Sequence, residues 1–231
     1  MSQAHISNAA SALHRLFIAC GKKRKLKKRD LLIPYMETPK HLYMVTQGSL
    51  RVELSNTQNE GVVCISHLKP GDMFGEQGLF VSVPMMLATA TIQARCDVEL
   101  LCVAHEDLKR AAHSAPSIYT ELSAHINTRL GETTEKLFHF VFGDLEQRCY
   151  QSLVEVTRLP DALTHPDGMQ ISLTRIELSQ MIGCSRESAG RSLKVLRDKG
   201  KVEVNGSRIV VYGIRHGLPV KELQSRGAAC V

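Results

Sequence analysis

The 231-residue sequence has no apolar stretch long enough to cross a membrane, which takes roughly 18 residues or more. Its first residues also lack the basic leader and the apolar run of a secretion signal. Hydrophobic residues make up 43% and charged residues 23% of the chain, close to the averages of folded globular proteins. These features predict a folded cytoplasmic protein of one or two domains that has no membrane partner.

The seven cysteines are scattered, and no two of them form a CxxC pair. The odd number and the wide spacing argue against a disulfide framework, a zinc knuckle or an iron–sulfur cluster. Cys96 and Cys102 have the same parity on an apparent strand, so we expect them, like most of the others, to be small buried hydrophobic residues. No spacing among the ten histidines and the cysteines singles out a pair of haem ligands, and we expect no metal site.

The sequence also lacks the short signatures of several enzyme classes. It has no GxGxxG after a strand, no P-loop and no GxSxG. The nearest match to HExxH begins at His105 and fails at Lys109, where a second histidine is needed. We therefore expect a binding protein and not an enzyme.

Positive charge is concentrated at the C-terminal end of the chain. The net charge is +6, yet residues 1–169 contain 18 basic and 18 acidic side chains, whereas residues 170–231 contain 11 basic and only 5 acidic ones. Such an asymmetry is typical of a chain in which one domain meets a polyanion, and nucleic acid is the first candidate. A second basic run, at residues 22–29, is compatible with a solvated surface or with a contact.

The first half of the chain has β-rich patterning. Residues 42–54 alternate around a Gly48-Ser49 break, which predicts a half-buried hairpin. Short β-rich runs follow at 61–68 and 90–103, separated by glycines and prolines. This rhythm is typical of a small antiparallel sandwich or barrel.

From about residue 116 to residue 141 the period becomes helical. Five positions recur at spacings of four, three, four and three residues, and all but the threonine are apolar: Ile126, Leu130, Thr133, Leu137 and Phe140. These are the spacings of a two-stranded coiled-coil seam, so we predict a long helix that forms a homodimer. Thr133 takes a core position of this seam, beside Thr134. A polar residue in a seam costs stability but can fix the register of the two helices or contact a ligand, and the sequence leaves both roles open.

Residues 174–212 predict a helix, a turn, a second helix and a β-hairpin. Thr174 and Glu177 form a capping box that opens the first helix, and Gly183 ends it. Asn205-Gly206 is a strong signal for a hairpin turn between two short strands. The expected buried positions of the two helices are Ile176, Leu178, Met181, Ile182, Ala189, Leu193 and Leu196. This order is that of a winged helix-turn-helix.

The second helix, which begins at Ser185, has a polar and mostly basic outer side that also includes a glycine, Gly190. The corresponding helix of a helix-turn-helix enters the DNA major groove, where arginine bonds guanine and glutamate accepts from cytosine. We predict base contacts from Arg186, Glu187 and Arg191. We predict further DNA contacts, chiefly to phosphates, from Ser185, Lys194 and Arg175.

Residues 174–191 and 209–213 closely resemble the DNA-binding domain of the cyclic-AMP receptor protein/fumarate–nitrate regulator (CRP/FNR) family of bacterial transcription factors. The resemblance continues through residues 160–170 and, more weakly, through the β-rich half. It implies an α+β fold in four parts. These are a cyclic-nucleotide-binding-like β-roll (1–112), a long dimerisation helix (113–143), a winged helix-turn-helix that binds double-stranded DNA (144–216) and a tail (217–231) to which nothing assigns a role.

The resemblance also implies contact with RNA polymerase. In the family, the loop that corresponds to residues 160–168 contacts the C-terminal domain of the polymerase α-subunit, and Thr164, His165 and Gly168 match it. Lys22 and Arg24 fall near a second polymerase-contacting region. The resemblance therefore implies a transcription activator.

The expected effector site matches the family in one half. Gly75 and Glu76 match the cassette in which the glutamate binds a ribose hydroxyl, and Thr133 and Thr134 match the helix residues that contact adenine. These four residues imply a site for a purine nucleotide.

The other half of the effector site departs from the family. Met86 and Leu87 stand where the family has an arginine and a serine that hold the cyclic phosphate. Losing a charge-assisted hydrogen bond costs about 1.5–3 kcal/mol, on the order of a tenfold to hundredfold loss of affinity. The apolar side chains at 85–87 favour simple core packing, since such a stripe is more often packing than a binding site.

Four interpretations of the effector remain open at this point. They are weak cyclic-AMP binding, cyclic di-GMP as in some relatives, a different apolar ligand, and DNA binding without any ligand. An alternative of another class is a nucleotide-sensing or partner-binding module that has kept a degenerate winged domain. Affinity for duplex DNA distinguishes this alternative from a DNA-binding regulator.

Overall fold

The computed structural model of the chain describes residues 11–34, 37–56, 61–80 and 90–215. Within these ranges the chain forms an N-terminal β-roll, one long helix and a C-terminal unit of three helices and four strands. Met86 and Leu87 of the predicted effector site, and the tail at 217–231, lie outside the described residues. No helix in the described ranges is both long and apolar enough to span a membrane.

The β-roll consists of two four-stranded antiparallel sheets with helices before, between and after the strands. One sheet has the strand order β1-β8-β3-β6 and the other the order β2-β7-β4-β5. The helices are α1 (Ala12–Cys20), α2 (Gln77–Phe80) and α3 (His105–Ser114). The strands are β1 (Lys22–Leu26), β2 (Leu31–Ile33), β3 (His41–Gln47), β4 (Leu50–Asn56), β5 (Gly61–Leu68), β6 (Met73–Phe74), β7 (Ala90–Ala94) and β8 (Val98–Ala104).

Strand β3 is buried on both faces. Successive side chains of a strand point to opposite sides, and here Leu42 and Met44 pack with α1 and α3 while Tyr43 and Val45 pack into the core between the two sheets. An uninterrupted apolar run is therefore what this strand needs. The first sheet is sandwiched between the helices and the second sheet.

The predicted hairpin at residues 42–54 is wrong. β3 pairs with β6 and β8, whereas β4 pairs with β5 and β7 in the other sheet. Gly48 has a φ of 80°, and a Cβ at this position would lie 2.2 Å from the carbonyl oxygen of Asp97. The Gly-Ser break therefore carries the chain across from one sheet to the other instead of turning it back.

Within the described residues, the cysteines are less buried than the sequence predicts. Cys64 and Cys149 are buried, but Cys20 is exposed and Cys96 and Cys102 are only partly buried. Cys96 lies in the bend before β8 and shares no strand with Cys102, so the parity argument does not apply.

A single helix of 26 residues, α4 (Ser117–Phe142), connects the β-roll to the C-terminal unit. Its first turns belong to the β-roll, because Ile118 and Leu122 are buried in the same core cluster as α1 and α3. The carboxylate of Glu121 accepts hydrogen bonds from the backbone N–H groups of Ala12, at 3.0 Å, and Leu13, at 2.8 Å. Glu121 thus caps the N-terminus of α1. The long helix predicted for residues 116–141 is confirmed.

The exposed apolar stripe of α4 differs in part from the predicted seam. Leu130 and Leu137 are each 62% exposed, as a seam requires, but Ile126 packs partly against the β-roll core. The predicted seam also includes Phe140, which is half-buried against the C-terminal unit of its own chain. Val141, at 63% exposure, takes its place on the stripe.

The stripe on α4, which we call the α4 stripe, therefore runs through Leu130, Thr134, Leu137 and Val141. These positions keep the spacings of four and three residues that a coiled coil needs. Two further exposed aromatic residues, Phe138 and Phe142, flank it. Thr133 of the predicted seam is exposed beside Thr134.

The C-terminal unit places three helices against one antiparallel sheet of order β11-β12-β10-β9. Its core includes Leu153, Met169, Leu178, Leu193 and Val211. The helices are α5 (Leu145–Thr157), α6 (Arg175–Ile182) and α7 (Arg186–Asp198), and the strands are β9 (Leu163–His165), β10 (Gly168–Ser172), β11 (Val202–Asn205) and β12 (Arg208–Tyr212).

The predicted capping box of α6 is confirmed. The Thr174 hydroxyl accepts from the Glu177 N–H, and the Glu177 carboxylate accepts from the Thr174 N–H at 2.8 Å. Gly183 ends the helix in the left-handed conformation, with φ 62°. Ile176 is 54% exposed and not buried, because it precedes the buried Leu178 by two residues and so lies about 200° away around the helix.

The β11–β12 hairpin turns one residue later than predicted. Asn205 pairs with Arg208, so the two turn residues are Gly206 and Ser207. Gly206 has a φ of 63° at the first turn position, where two-residue hairpins often need glycine. The predicted wing is present, with its turn shifted.

Candidate nucleic-acid interface

Helix α7 presents its polar side to solvent. Arg186, Glu187, Arg191 and Lys194 are all exposed, whereas its apolar side, Ala189, Leu193 and Leu196, is buried in the core of the C-terminal unit. The structure therefore has the predicted polar outer side and buried apolar side of this helix. The exposed side offers guanidinium donors, a carboxylate acceptor and an ammonium group on one helix.

The start of α7 is fixed by local hydrogen bonds. The Ser185 hydroxyl accepts from the Ser188 N–H at 3.2 Å and lies 3.1 Å from the Ser188 hydroxyl. A guanidinium nitrogen of Arg191 donates to the same Ser188 hydroxyl at 2.7 Å. Glu187 follows Arg186 in the first turn, and hydrogen bonds from its backbone N–H and from the Ser185 hydroxyl lower the pKa of its carboxyl group. This carboxylate therefore stays ionised and can only accept hydrogen bonds.

Arg175 adds a further basic side chain to the α7 surface. It is exposed at the first position of α6, and its Cδ would lie 3.8 Å from a Cβ placed at Gly190 on α7. The Arg175 stem therefore lies beside the middle of α7, where a methyl group at Gly190 would make only an ordinary contact with it. The five predicted polar residues of α7 and its cap, together with Arg175, thus belong to one surface.

The residues predicted to contact polymerase lie on two separate sheets. Thr164, His165 and Gly168 belong to the β9–β10 hairpin, where Gly168 pairs with His165. A Cβ at Gly168 would lie 2.0 Å from the Val211 carbonyl oxygen, so glycine is required there by packing. Lys22 and Arg24 are exposed on β1, at the edge of the first β-roll sheet.

In the expected effector site, the Glu76 carboxylate is paired with an arginine of α4. Glu76 is 8% exposed, and its two oxygens each lie 3.2 Å from a guanidinium nitrogen of Arg129. Arg129 also donates to the Met73 carbonyl at 3.1 Å. Gly75 beside it has a φ of 93° and packs against His41 and Tyr43. Sequence reasoning missed Arg129, whose one available signal is its place one helical turn before Thr133.

Thr133 and Thr134 are exposed, and their hydroxyls are bonded to their own helix. The Thr133 hydroxyl donates to the Arg129 carbonyl and the Thr134 hydroxyl to the Leu130 carbonyl, each at 2.8 Å. Among the described residues, no group of three or more His, Cys, Asp or Glu side chains is placed to hold a metal ion.

A charged interface, which sequence reasoning missed, joins the β-roll to the C-terminal unit. His67 of β5 lies 2.9 Å from Glu155 of α5, and Lys136 of α4 lies 3.2 Å from the other oxygen of Glu155. Burial alone would lower the pKa of His67, but its contacts with Cys64 and Glu155 raise the pKa to about 9. Burial would likewise raise the pKa of Glu155, whereas His67 and Lys136 lower it to about 2.

Two arginines extend this charged interface. Arg95 donates to the Ser172 carbonyl at 2.9 Å and lies 3.4 Å from Asp161, while Arg51 lies 3.9 Å from Glu177. Positive groups on the β-roll thus face negative groups on the C-terminal unit. The cavity left between them is about 10 Å³, far below the roughly 300 Å³ or more of a small-molecule site, so it admits no nucleotide.

Comparison with known proteins decides the family. Residues 23–114 match the cyclic nucleotide-binding domain, and residues 147–214 match the Crp-like helix-turn-helix domain. The chain is 36% identical over 191 residues to the cAMP-activated global transcriptional regulator CRP of Pasteurella multocida, which covers 83% of this chain and 90% of that protein. The chain belongs to the CRP/FNR family of transcription regulators.

Other CRP/FNR members give the same result. The cAMP-activated regulator Vfr of Pseudomonas aeruginosa is 31% identical over 204 residues, with 88% of this chain and 94% of Vfr covered. The c-di-GMP responsive global regulator CLP of Xanthomonas campestris superposes with a TM-score of 0.76 at 28% identity, over 87% of this chain and 98% of that chain. A CRP/FNR regulator of Thermus thermophilus, at 20% identity and TM-score 0.72 over 88% of this chain and 97% of that chain, has the same fold. The predicted α+β architecture is confirmed.

Proposed function

We propose that this CRP/FNR regulator is a homodimer that reads a palindromic DNA operator with α7 and is not an enzyme. The observation that carries the proposal is the outer side of α7, where two arginines, a glutamate and a lysine are exposed together above a buried apolar side. A helix of this composition fits the major groove, and two copies in a dimer match two half-sites about one helical turn apart. The cytoplasm, where DNA is found, is the corresponding location.

Dimer formation is supported by the α4 stripe. Leu130, Leu137 and Val141 are each more than 60% exposed in the single chain, and Phe138 and Phe142 beside them are also exposed. Fully burying such a side chain stabilises an association by about 1.5–3 kcal/mol. Contact between two α4 stripes is the arrangement that removes these side chains from water, and it gives 113–143 the role of the dimerisation segment.

The residue roles follow from position on α7. Arg186 and Arg191 are proposed to bond guanine and Glu187 to accept from cytosine, since these groups match the base edges in the major groove. Lys194 and Arg175 are proposed to contact phosphates. The Ser185 hydroxyl oxygen accepts from the Ser188 N–H and so orders the first turn of α7. Its one hydrogen, which is donated within this first turn in the free protein, would be donated to a backbone phosphate on DNA.

A polymerase contact is proposed for two surfaces, on the basis of the family resemblance. The β9–β10 hairpin carries Thr164 and His165 on a short strand at the end of its sheet, and Lys22 and Arg24 are exposed at the edge of the β-roll. Edge positions leave side chains and backbone accessible to another protein. Through these surfaces the regulator would activate transcription.

For the effector, we propose that DNA binding does not require cyclic AMP. The side chains expected to hold a cyclic phosphate are replaced by Met86 and Leu87, and the Glu76 carboxylate expected on the ribose is paired with Arg129. Glu76, Gly75, Thr133 and Thr134 would still line a pocket for a purine ring system. The similarity to CLP, a c-di-GMP responsive regulator, makes cyclic di-GMP the nucleotide to test beside cyclic AMP.

The proposal is tested by fluorescence-anisotropy titration at fixed salt. The protein is titrated into a palindromic duplex based on the family's operator and into a scrambled duplex, alone and with cyclic AMP or cyclic di-GMP. We expect a dissociation constant on the order of 10 nM for the palindrome without effector and at least a thousandfold weaker binding to scrambled DNA. Tight binding only with cyclic AMP would overturn the effector proposal. Weak binding to both duplexes in every condition would favour the partner-binding alternative.

A further inference from the structure

The end of α4 is joined to α5 by contacts that follow one another along the two helices. Lys136 pairs with Glu155, and one turn later His139 lies 3.3 Å from the Gln151 amide nitrogen. The last contact is between Phe140 and Arg148, whose guanidinium carbon lies 5.3 Å from the centre of the ring. The two antiparallel helices thus form one hairpin around Gly143.

Phe140 also touches the turn of the helix-turn-helix. A Cβ built at Gly183 would lie 2.7 Å from Cε1 of the Phe140 ring, so the ring packs directly on the backbone of this turn. Arg148, which also contacts the ring, donates to the carbonyl of Ile182, the residue before Gly183, at 3.1 Å. Gly183 separates α6 from α7, and the N-cap of α7, Ser185, lies two residues after it.

We infer that Phe140 is a positioning residue which fixes the direction of α7 relative to α4 and thereby sets the half-site spacing that the dimer accepts. The ring contacts both the turn at Gly183 and the guanidinium of Arg148, so a rotation of the helix-turn-helix about Gly143 would have to break these contacts. This inference rests on the proposed function, because spacing has meaning only for a dimer on DNA.

Half-site spacing is set by geometry on the duplex. One additional base pair moves a half-site by roughly 3.4 Å along the DNA and by about 35° around it. A recognition helix that is fixed relative to its partner cannot follow such a shift without losing base contacts. A recognition helix that can pivot relative to α4 follows the displaced half-site and keeps its base contacts. The sharpness of spacing preference therefore reports how firmly α7 is held to α4.

The test uses the full-length protein and a palindromic operator that the wild-type protein selects from random-sequence duplex DNA. Affinities are measured for this operator, for versions with the spacer changed by one or two base pairs, and for a single half-site. We expect wild type to lose at least tenfold in affinity for each base pair of change. Phe140→Ala should lose less than threefold while its half-site affinity stays within twofold of wild type, and Phe140→Leu should recover most of the discrimination.

Glycine variants separate the ring contact from backbone strain. Gly183→Ala displaces the ring and should broaden the spacing preference, and combining it with Phe140→Ala should add nothing further. Gly200→Ala is the matched control, since Gly200 has a similar φ of 67° but no atom within 4 Å of the added Cβ. It should leave the spacing preference unchanged.

Two results would overturn the inference, and they differ from failure of the proposed function. If Phe140→Ala discriminates between spacers as sharply as wild type, or if Gly200→Ala broadens the preference as much as Gly183→Ala, the ring does not position α7. If wild type itself binds the operator no better than a single half-site, the dimeric reading of DNA fails and this inference fails with it.

Discussion

Among the single residues, Arg186 is expected to read one base pair. It is exposed at the first position of α7, and its guanidinium can donate two hydrogen bonds to one guanine. Arg186→Ala should weaken binding to the operator by about 1–3 kcal/mol and remove the preference at one base pair. Anisotropy titrations on operators with single base changes measure this. An equal loss on operator and random DNA would contradict the assigned role.

Lys194 is expected to act differently from Arg186. It is exposed two turns further along α7, where an ammonium group meets the phosphate backbone. Lys194→Ala should reduce affinity for all sequences to a similar extent and lower the slope of log affinity against log salt by about 1. The salt series is run on the operator and on scrambled DNA, and a loss confined to the operator would show that Lys194 reads sequence.

Among the helices and strands, α4 is expected to hold the dimer through the α4 stripe. Leu137→Glu would place a charge from each chain in the seam, where it costs several kcal/mol to desolvate. Analytical ultracentrifugation should then show a monomer whose operator affinity is at least a hundredfold lower. Ile18→Glu is the matched control, because Ile18 is 66% exposed on α1, outside the stripe, and should leave the dimer intact. A dimeric Leu137→Glu protein would exclude the stripe as the interface.

The elements whose signals are local could be predicted from the sequence. The capping box at Thr174 and Glu177, the left-handed Gly183 and the amphipathic α7 each depend on residues within a few positions of one another. Strand pairing depends on distant partners, and so the predicted pairing of β3 with β4 is wrong. The predicted seam included Phe140, which is half-buried because it packs on Gly183, far away in the sequence.

The same distinction applies to the site. The exposed residues of α7 follow from helix periodicity, but nothing near Glu76 in the sequence indicates that Arg129 pairs with it. The charged interface was missed for the same reason. Its partners Arg95 and Asp161, or His67 and Glu155, are brought together only by the packing of the β-roll against the C-terminal unit.

In the molecule as a whole, the charged interface should make the attachment of the C-terminal unit depend on pH. The folded-state pKa of His67 is about 9, above the ordinary value of 6.5, so its stabilising contribution is complete below pH 6.5 and is lost as the pH rises through 9. The groups facing it are Cys64 and Glu155, and Lys136 pairs with the same carboxylate. Glu155, with a pKa of about 2, remains charged over this range.

His67→Gln provides the measurement of this contribution. Its free energy of unfolding should be lower than that of wild type by on the order of 1–3 kcal/mol at pH 6, and the difference should shrink as the pH is raised to 9. Urea denaturation at several pH values gives both curves. The surface pair of Lys27 and Asp97, broken by Asp97→Asn, serves as a control that should show no comparable dependence. A difference that stays constant from pH 6 to pH 9 would show that His67 is not charged in the interface.

The proposed function depends most on two copies of α7 reading DNA as a symmetric pair. The most direct test is selection of bound sequences from random duplex DNA by the purified wild-type protein without effector. We expect a two-fold symmetric motif whose half-sites are centred about one helical turn apart, with guanine and cytosine at the positions that Arg186, Arg191 and Glu187 reach. A motif without symmetry, or no enriched motif at all, would contradict symmetric reading by α7.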